Sequence, residues 1–287
     1  MNPQDSRPVS PEHLAEMLSG GPLASPRVLD LRPRAAFEAA HIPGSSRLDD
    51  AEIDVAYLRP PRWRPLVIVA EDAIHADDAA RRFRGHGHHA RGLAVGVRRL
   101  PGPWERGPET RPAWEPSPLV ARWAGRIPAG RVCDLACGSG RDAVYLAIHG
   151  HTVTAIDVLP DAIEQGALLA DRHGVGVHFA CADVEANPDS WNGPWDVINV
   201  QRFLHRESLG LIPARLAPGG IVLYETFLED QARSGRKPKN PAFLLRSGEL
   251  LEAAAGLTVL HYREGTDDGG DSTAALVARK GDEHAEG

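Results

Sequence analysis

Three aspartates mark the ends of successive apolar runs in the second half of the chain. Asp134 stands near the end of the first run, Asp157 closes the second, and Asp183 follows the third. An ionised carboxylate accepts hydrogen bonds from ammonium, hydroxyl and amine groups, and it repels phosphates. The repeated placement of an acid therefore predicts a binding site for a ligand that carries several hydrogen-bond donors.

A glycine-rich turn, residues 136–140, directly follows the first apolar run. Small side chains there let backbone N–H groups and the start of a helix approach an anionic ligand group. With Ala143 as a third small residue, the turn alone would also fit a dinucleotide site. Asp134 disfavours a diphosphate but suits an ammonium group beside a carboxylate. Asp157 can then accept from both hydroxyls of a ribose, and Asp183 from the exocyclic amine of an adenine.

Together, the turn and the three acids resemble the class I methyltransferases that use S-adenosylmethionine, and the resemblance covers about residues 119–280. It implies S-adenosyl-L-methionine as the cofactor. Ala136 stands where the family often has glycine, and we expect little loss from this small side chain. The residues expected to bind the cofactor are Asp134, Ala136, Gly138, Gly140, Arg141, Asp157, Val158, Asp183, Val184, Val200 and Phe203.

Two segments beyond the fourth apolar run narrow the choice of methyl acceptor. These segments resemble those of small-molecule methyltransferases related to the tellurite-resistance and thiol-methylating enzymes. They are residues 202–206 and 224–227, with 240–246 beyond them. Residues 198–201 (INVQ) lack the Asp/Asn-Pro-Pro-aromatic motif of enzymes that methylate the amino groups of bases or glutamine. The resemblance implies a small soft nucleophile, either a thiol or a chalcogen oxyanion such as tellurite or selenite.

His205, Arg206 and Glu225 are the residues expected to form the acceptor pocket. His205 is the candidate proton acceptor because its ordinary pKa lies nearest neutrality, although a histidine that caps the following helix is an equal alternative. Because the leaving group of a sulfonium is already good, orientation of the acceptor can supply much of the acceleration, and a general base is optional.

A basic insertion at residues 231–240 carries four cations, Arg233, Arg236, Lys237 and Lys239. It is expected to be either a lid that recognises an anionic acceptor or a solvated loop. Two functions of different kinds stay open. One is a methyltransferase for a small acceptor, and the other is a binding protein that senses S-adenosylmethionine without turnover.

The first half of the chain resembles the rhodanese family. The resemblance rests on the segments 28–32 (VLDLR), 37–38 (FE) and 41–44 (HIPG), and it continues to Trp104 and Gly107. In an active rhodanese, a cysteine at the end of the next strand carries a persulfide. Here that place falls at Ala70 or Glu71, and neither residue is a soft nucleophile.

Sulfur transfer by this first domain is therefore not expected, because a carboxylate in the N–H cradle would also occupy the anion site. The alternatives are a docking module, in which Glu71, Asp72 and His75 line a pocket, and a structural remnant. No metal site is expected, because the histidines of residues 85–89 lie in a glycine-broken segment without fixed ligand geometry. The three cysteines, Cys133, Cys137 and Cys181, suit a reducing compartment.

The elements that must position these residues alternate along the chain. In the second half, strands are predicted over 131–135, 152–157, 177–181, 196–200 and 221–225, with helices between them, and 258–263 and 272–279 form a hairpin. The expected fold is α/β: a small rhodanese-like domain followed by a Rossmann-like seven-stranded methyltransferase domain with an antiparallel edge hairpin. The expected boundaries are 1–110, a proline-rich linker at 111–118, 119–280, and a disordered tail at 281–287.

The composition of the 287 residues excludes several partners. Lys and Arg total 32 against 39 Asp and Glu, a net charge of −7, so nucleic acid is not an expected partner. No stretch approaches the roughly 18 apolar residues that span a bilayer, and residues 1–14 lack the pattern of a secretory signal. We expect a cytoplasmic protein that binds a small-molecule acceptor, and the basic insertion would suit an anionic one. The sequence carries no signal for an oligomeric state.

Overall fold

The computed structural model describes residues 6–19, 25–267 and 269–282. The chain forms two compact units, Met1–Glu115 and Pro116–Gly287. The division falls inside the segment expected to be the linker. On one side of it, Glu115 Oε1 lies 3.2 Å from Arg64 Nε, and on the other the Ser117 amide donates to Asp142 at 2.6 Å. Most of the expected tail, residues 283–287, lies outside the described residues.

The first unit is built on a small parallel sheet. Its elements are α1 (Pro11–Ser19), β1 (Arg27–Asp30), α2 (Arg34–Ala39), β2 (Ser46–Arg47), β3 (Leu66–Val69), α3 (Ala73–Gly85) and β4 (Ala90–Gly92). The strand order is β2-β1-β3-β4, with all neighbours parallel. β1 and β3 are buried along their whole length, as their short apolar runs predict.

Close contact between α3 and β4 requires small residues on both elements. Ala76, Ala79 and Ala80 are buried on α3. A Cβ at Gly92 would lie 2.7 Å from the Ala76 carbonyl carbon, closer than real contacts allow. The same end of α3 is capped by Asp72, the residue before the helix, whose Oδ1 accepts from the His75 amide at 2.9 Å.

The second unit contains the predicted seven-stranded sheet. Its elements are α4 (Pro118–Trp123), β5 (Arg131–Leu135), α5 (Arg141–Ile148), β6 (Thr152–Asp157), α6 (Pro160–Arg172), β7 (Val177–Cys181), β8 (Trp195–Gln201), α7 (Arg206–Arg215), β9 (Leu216–Phe227), α8 (Asp230–Arg233), α9 (Glu249–Ala253), β10 (Thr258–Thr266) and β11 (Ser272–Arg279). The order is β10-β11-β9-β8-β5-β6-β7, and β11 runs antiparallel to both neighbours. The predicted Rossmann-like sheet with an edge hairpin is confirmed.

The sheet has an apolar layer on each face. On one face, Tyr224 and Leu276 pack with residues of α7 and α9. On the other, Leu223 and Val277 pack with residues of α4 and α5. Since β5 to β9 are parallel, their carboxyl ends share one edge of the sheet, where open α/β folds bind ligands.

β9 is longer than the sequence predicts, because it begins at Leu216 instead of Ile221. The Pro-Gly-Gly sequence before Ile221 is typical of a turn, yet it continues the strand across a register shift between β8 and β9. A Cβ at Gly220 would lie 2.8 Å from the Ala217 carbonyl oxygen and 2.9 Å from that of Trp195. The glycine is therefore needed for close backbone packing.

In the described part of the chain, no helix has the length and apolarity needed to cross a membrane.

Candidate functional site

Asp134 lies near the end of β5 and is almost completely buried, with 2% of its surface exposed. Asn199 is its register partner in β8, and Asn199 Nδ2 donates to Asp134 Oδ1 at 2.7 Å. Gln201 Nε2 in turn donates to Asn199 Oδ1 at 3.0 Å. The second carboxylate oxygen, Asp134 Oδ2, is buried and has no hydrogen-bond partner among the described residues.

The electrostatic surroundings of Asp134 favour its protonated form. Burial raises the pKa of Asp134 well above its ordinary value, and the neighbouring Asp142 carboxylate raises it further, against the opposing effect of Asn199. Both oxygens of Asp142 accept from Ser117, at 2.6 Å from the amide and 2.7 Å from the hydroxyl. A cationic ligand group near Oδ2 would reverse this effect and stabilise the carboxylate.

The glycine-rich turn is attached to Asp157, the last residue of β6. The Gly138 amide donates to Asp157 Oδ2 at 2.8 Å, and the Leu159 amide donates to Oδ1 at 3.0 Å. A carboxylate accepts about four hydrogen bonds, so each oxygen keeps capacity for one more. A Cβ at Gly138 would meet nothing within 4 Å, so the turn faces open space beside this carboxylate.

Backbone conformation explains which residues of the turn must be small. Gly138 and Gly140 have φ of 53° and 71°, and Ala136 shares the left-handed region with φ of 53°. The sequence suggested little loss at Ala136, but an L-residue in this conformation costs about 1 kcal/mol relative to glycine. Gly140 is also required by packing, since its Cβ would lie 2.8 Å from the Phe179 ring.

The third acid, Asp183, is exposed after β7. Its Oδ1 accepts from the amides of Glu185 and Ala186 at 2.9 and 3.0 Å. These bonds fix the turn and leave Oδ2 for a ligand. Val158 and Leu159 follow Asp157 directly, and their apolar side chains are 56% and 61% exposed. An apolar surface therefore borders the carboxyl edge of the sheet beside Asp157.

The other residues expected at the cofactor site occupy the same sheet edge with different exposure. Val184 and Val200 are buried in the apolar layer that contains Tyr224. Phe203 is half-buried, and its carbonyl accepts from the Tyr224 hydroxyl at 3.0 Å. Arg141 is the first residue of α5 and is half-buried. Val184 and Val200 can therefore support a ligand pocket, but their side chains expose little surface to it.

His205 caps the amino terminus of α7. The Ser208 amide donates to His205 Nδ1 at 3.4 Å, and the Ser208 hydroxyl lies 2.8 Å from the same atom. Because Nδ1 accepts a hydrogen bond, the neutral ring carries its hydrogen on Nε2. The structure thus contains the capping arrangement that the sequence left as an alternative, and the ring's acceptor nitrogen faces its own helix.

Arg206 is bonded to neighbouring elements. Its guanidinium donates to both oxygens of Glu249, at 2.6 and 3.1 Å, and to the carbonyls of Ala242 and Leu244, at 3.2 and 2.9 Å. Hydrogen bonding to Glu249 raises the pKa of Arg206. These contacts tie the start of α7 to α9 and to the segment before it.

Glu225 lies in a row of register partners that crosses four strands. Arg263, Ala275, Glu225 and Gln201 are register partners on β10, β11, β9 and β8. Glu225 Oε1 accepts from Arg263 Nη2 at 3.2 Å and from Thr273 Oγ1 at 3.1 Å. Burial raises the pKa of Glu225 against the opposing effects of the Arg202 and Arg263 guanidiniums.

The three residues expected to form one acceptor pocket line two different cavities. His205 and Arg206 border a cavity of about 270 Å³ with Phe243. Glu225 borders a cavity of about 130 Å³ together with Arg263. The separation arises because Glu225 belongs to the sheet face covered by α4 and α5, whereas α7 covers the opposite face.

The cavity beside Glu225 contains residues that the sequence did not indicate. His261 and Arg122 line it with Arg263 and Glu225. Burial lowers the pKa of His261, and the cations of Arg122 and Arg263 lower it further, so the ring is neutral at neutral pH. His261 and Arg263 lie in the predicted edge strand β10, but the local sequence does not show that their side chains face Glu225.

The basic insertion is anchored by Gln231, which is fully buried. Gln231 Nε2 donates to the Lys237 carbonyl and to Asp271, both at 2.8 Å, and Oε1 accepts from the Ser272 amide. Arg236 also binds Asp271, at 2.9 Å. Arg236 is therefore neutralised, while Lys237 and Lys239 are exposed and form no ion pair among the described residues.

In the first unit, the residues at the expected sulfur-transfer position are engaged with neighbours. Glu71 lies 3.1 Å from Arg98 Nε, Asp72 caps α3, and His75 Nε2 lies 2.9 Å from Asp50 Oδ1. In the described part of the chain, no group of three or more His, Cys, Asp or Glu side chains could hold a metal ion.

The second unit fits a ligand with the donors of S-adenosylmethionine. Asp134 Oδ2 is an unpartnered acceptor, Asp157 and Asp183 keep free acceptor capacity, and Gly138 faces open space. All four lie at the carboxyl edge of three adjacent strands, β5, β6 and β7.

Comparison with known proteins adds two family matches. Residues 10–102 match the rhodanese-like domain, and residues 132–220 match a methyltransferase domain. Curated relatives of this chain include ubiquinone biosynthesis O-methyltransferases. That of Bordetella pertussis is 28% identical over 157 residues, or 52% of this chain and 62% of the relative. That of Azotobacter vinelandii is 30% identical over 150 residues, or 50% and 61%.

The chain thus spans about three fifths of the length of these curated relatives. Among solved structures, TehB from Haemophilus influenzae is similar with a TM-score of 0.48 and 25% identity, over 56% of this chain and 61% of that one. The magnesium protoporphyrin IX methyltransferase of Synechocystis PCC 6803 gives a TM-score of 0.42 at 18% identity, over 56% and 74%. By the two family matches, the chain contains a rhodanese-like domain at residues 10–102 followed by a methyltransferase domain at residues 132–220.

Proposed function

We propose that the second unit transfers a methyl group from S-adenosylmethionine to a small, ionisable acceptor. The observation that carries this proposal is the joint placement of Asp134, Asp157 and Asp183 around the glycine-rich turn. In this proposal, Asp134 binds the ammonium group, Asp157 the ribose hydroxyls and Asp183 the adenine amine. Val158 and Leu159 supply apolar contact.

When bound, the cofactor supplies a methyl group on a sulfonium, whose leaving group is a neutral thioether. The chain's own residues then need to orient the acceptor and exclude water from it. The cavity beside Glu225 is the proposed acceptor site, because Glu225 and Asp134 lie on the same face of the sheet. Arg122 and Arg263 line this cavity beside the carboxylates of Glu225 and Asp267, so it offers both donors and acceptors to a polar acceptor. The neutral His261 ring can take a proton from that acceptor.

The size of this cavity supports a small soft nucleophile, such as a thiol or a chalcogen oxyanion. Its volume of about 130 Å³ is below the range of roughly 300–1,000 Å³ in which drug-sized ligands bind. The curated relatives methylate oxygen, according to their names, so a phenolic hydroxyl is the second candidate acceptor. A phenol has a pKa of about 10 and needs a base, whereas a thiol or an oxyanion ionises more readily.

The remaining parts of the proposal concern the first unit and the basic insertion. We propose that the rhodanese-like domain does not catalyse sulfur transfer, because Glu71 stands at the expected nucleophile position and pairs with Arg98. Lys237 and Lys239 on the insertion supply two exposed positive charges for attracting an anionic acceptor.

The test is a turnover assay with purified full-length protein and methyl-labelled S-adenosylmethionine. The acceptor panel contains thiols, selenite, tellurite and a catechol, and the matched variants are Asp157→Asn and Asp161→Asn. The proposal predicts labelled product from a thiol or a chalcogen oxyanion, a loss of that product in Asp157→Asn, and no loss in Asp161→Asn. If only the catechol gives labelled product, the proposed thiol or oxyanion acceptor is wrong and a phenolic hydroxyl takes its place. If the protein binds the cofactor but gives no product with any acceptor, the result supports the alternative function, a binding protein that senses S-adenosylmethionine.

A further inference from the structure

The first unit contains a cavity of about 510 Å³ that no part of the proposed reaction uses. Ser25 and Pro26 line it just before β1, Pro43 and Gly44 just before β2, and Arg64 just before β3. In a parallel sheet, the beginnings of the strands share one edge. The cavity therefore lies at the edge opposite the segment after β3, where an active rhodanese holds its persulfide. Its volume is in the range of small-ligand sites.

Three arginines line this cavity, and none of the described residues that line it is acidic. They are Arg27, Arg64 and Arg111. A single carboxylate, Glu115, forms ion pairs with two of them. Its Oε1 lies 3.6 Å from Arg27 Nη1 and 3.2 Å from Arg64 Nε. Arg111 is exposed and forms no ion pair among the described residues. The cavity wall therefore carries an excess of positive charge.

Arg27 is the most deeply buried of the three, with 5% of its surface exposed. Its Nη2 donates to the Pro112 carbonyl, while its Nε is buried and has no hydrogen-bond partner among the described residues. Burial lowers the pKa of Arg27, and the charges of Arg111 and Arg64 lower it further against the opposing effect of Glu115. An additional anion would compensate this charge and supply an acceptor.

The remainder of the wall is mainly apolar. Leu14 and Leu18 come from α1, Ile42 from the segment before β2, and Leu100 and Trp104 from the segment after β4. Apolar walls with a few convergent polar groups are typical of sites for small organic ligands. We infer that this cavity binds a small carboxylate with an apolar body, its carboxylate on the arginines and its body against Leu14 and Trp104.

The experiment uses 2-naphthoate as the probe, with neutral 2-naphthol and inorganic phosphate as comparison ligands. Calorimetric titration of the full-length chain is expected to give saturable binding of naphthoate. Naphthol lacks the charge and phosphate lacks the apolar body, so each should bind at least about tenfold more weakly. Trp104 is partly exposed at the cavity, and its fluorescence should change on saturation with naphthoate.

Three variants locate the site. Arg111→Gln should weaken naphthoate binding about tenfold, and Ala15→Phe, which fills the cavity from an exposed position on α1, should remove it. Arg34→Gln changes an exposed arginine outside the cavity and should leave binding unchanged. Equal binding of naphthol, absence of saturable naphthoate binding, or equal effects of Arg111→Gln and Arg34→Gln would overturn the inference. Binding is measured without methyl transfer, so failure of the proposed reaction would not affect this result.

Discussion

Asn199 and Asp134 stand opposite each other in neighbouring parallel strands, and the Asn199 amide donates to the Asp134 carboxylate at 2.7 Å. Both side chains are buried, and one carboxylate oxygen has no partner among the described residues. A buried acceptor without a donor costs about 1–3 kcal/mol. The Asn199 amide therefore holds one oxygen of Asp134 in position and leaves the other oxygen as an acceptor for a ligand donor.

The raised pKa of Asp134 predicts a pH dependence of stability. Above the ordinary Asp pKa of about 4, the folded protein keeps a proton that the unfolded chain has lost. The free energy of unfolding should therefore fall as pH rises from that value through the raised pKa, by about 1.4 kcal/mol for each unit of pKa difference. Asp134→Asn should reduce this slope in urea unfolding curves between pH 5 and 8.

The exposed Asp161 in α6 provides the control for this measurement. Asp161→Asn removes an exposed carboxylate elsewhere in the second unit and should keep the wild-type slope. An unchanged slope in Asp134→Asn would contradict the assignment of a raised pKa to Asp134.

Ala136→Gly should stabilise the protein. Ala136 has φ of 53°, and glycine adopts this conformation without the Cβ clash. Part of the gain is offset by the greater freedom of glycine in the unfolded chain, so the free energy of unfolding should increase by about 0.5–1 kcal/mol. Ala167→Gly, in the middle of α6, should lower it by about 1 kcal/mol. Chemical denaturation measures both, and effects of the same sign would contradict the prediction.

Two substitutions of His205 separate capping from proton transfer. Asparagine is a good cap, so His205→Asn should preserve both stability and turnover, whereas His205→Ala should lose about 1 kcal/mol of stability. Thermal unfolding and the labelled-methyl assay give the two readouts. A fall in turnover for His205→Asn at unchanged stability would assign proton transfer to His205.

His261 is expected to be the base if the acceptor must lose a proton. Burial and two nearby arginines lower its pKa below the ordinary 6.5, so kcat/KM should stay constant down to below about pH 6.5 and fall in more acidic solution. His261→Gln should reduce turnover about 100-fold and abolish this acidic limb. His178→Gln, at an exposed position on β7, is the matched control. A wild-type pH profile in His261→Gln would exclude the role.

Local sequence determines some features of this molecule and not others. The strand ends at Asp157 and Asp183 are evident because apolar runs stop there and turn residues follow. Asn199 gives no such signal, because its partner Asp134 lies 65 residues away and the two meet only in the folded sheet. The short strands β2 and β4, of two and three residues, carry too little pattern to be predicted.

The acceptor pocket shows the same limit more clearly. Glu225 lies near the end of β9, and His205 and Arg206 follow the end of β8. The sequence therefore predicts one pocket for all three, but strand neighbours alternate between the two faces of a sheet. Glu225 faces the α4 and α5 side, and α7 packs on the other. His261 reaches the Glu225 cavity from β10, and the face of the sheet on which its side chain lies depends on the register of the edge hairpin.

The most direct measurement of the central claim is calorimetric titration of the intact protein with S-adenosylmethionine. The structure predicts saturable binding at one site. Asp157→Asn should weaken this binding by about 10- to 100-fold, because it removes a charged acceptor from the proposed ribose site, and Asp161→Asn should not change it. Absence of saturable heat with folded protein, or equal affinities for wild type and Asp157→Asn, would contradict the account.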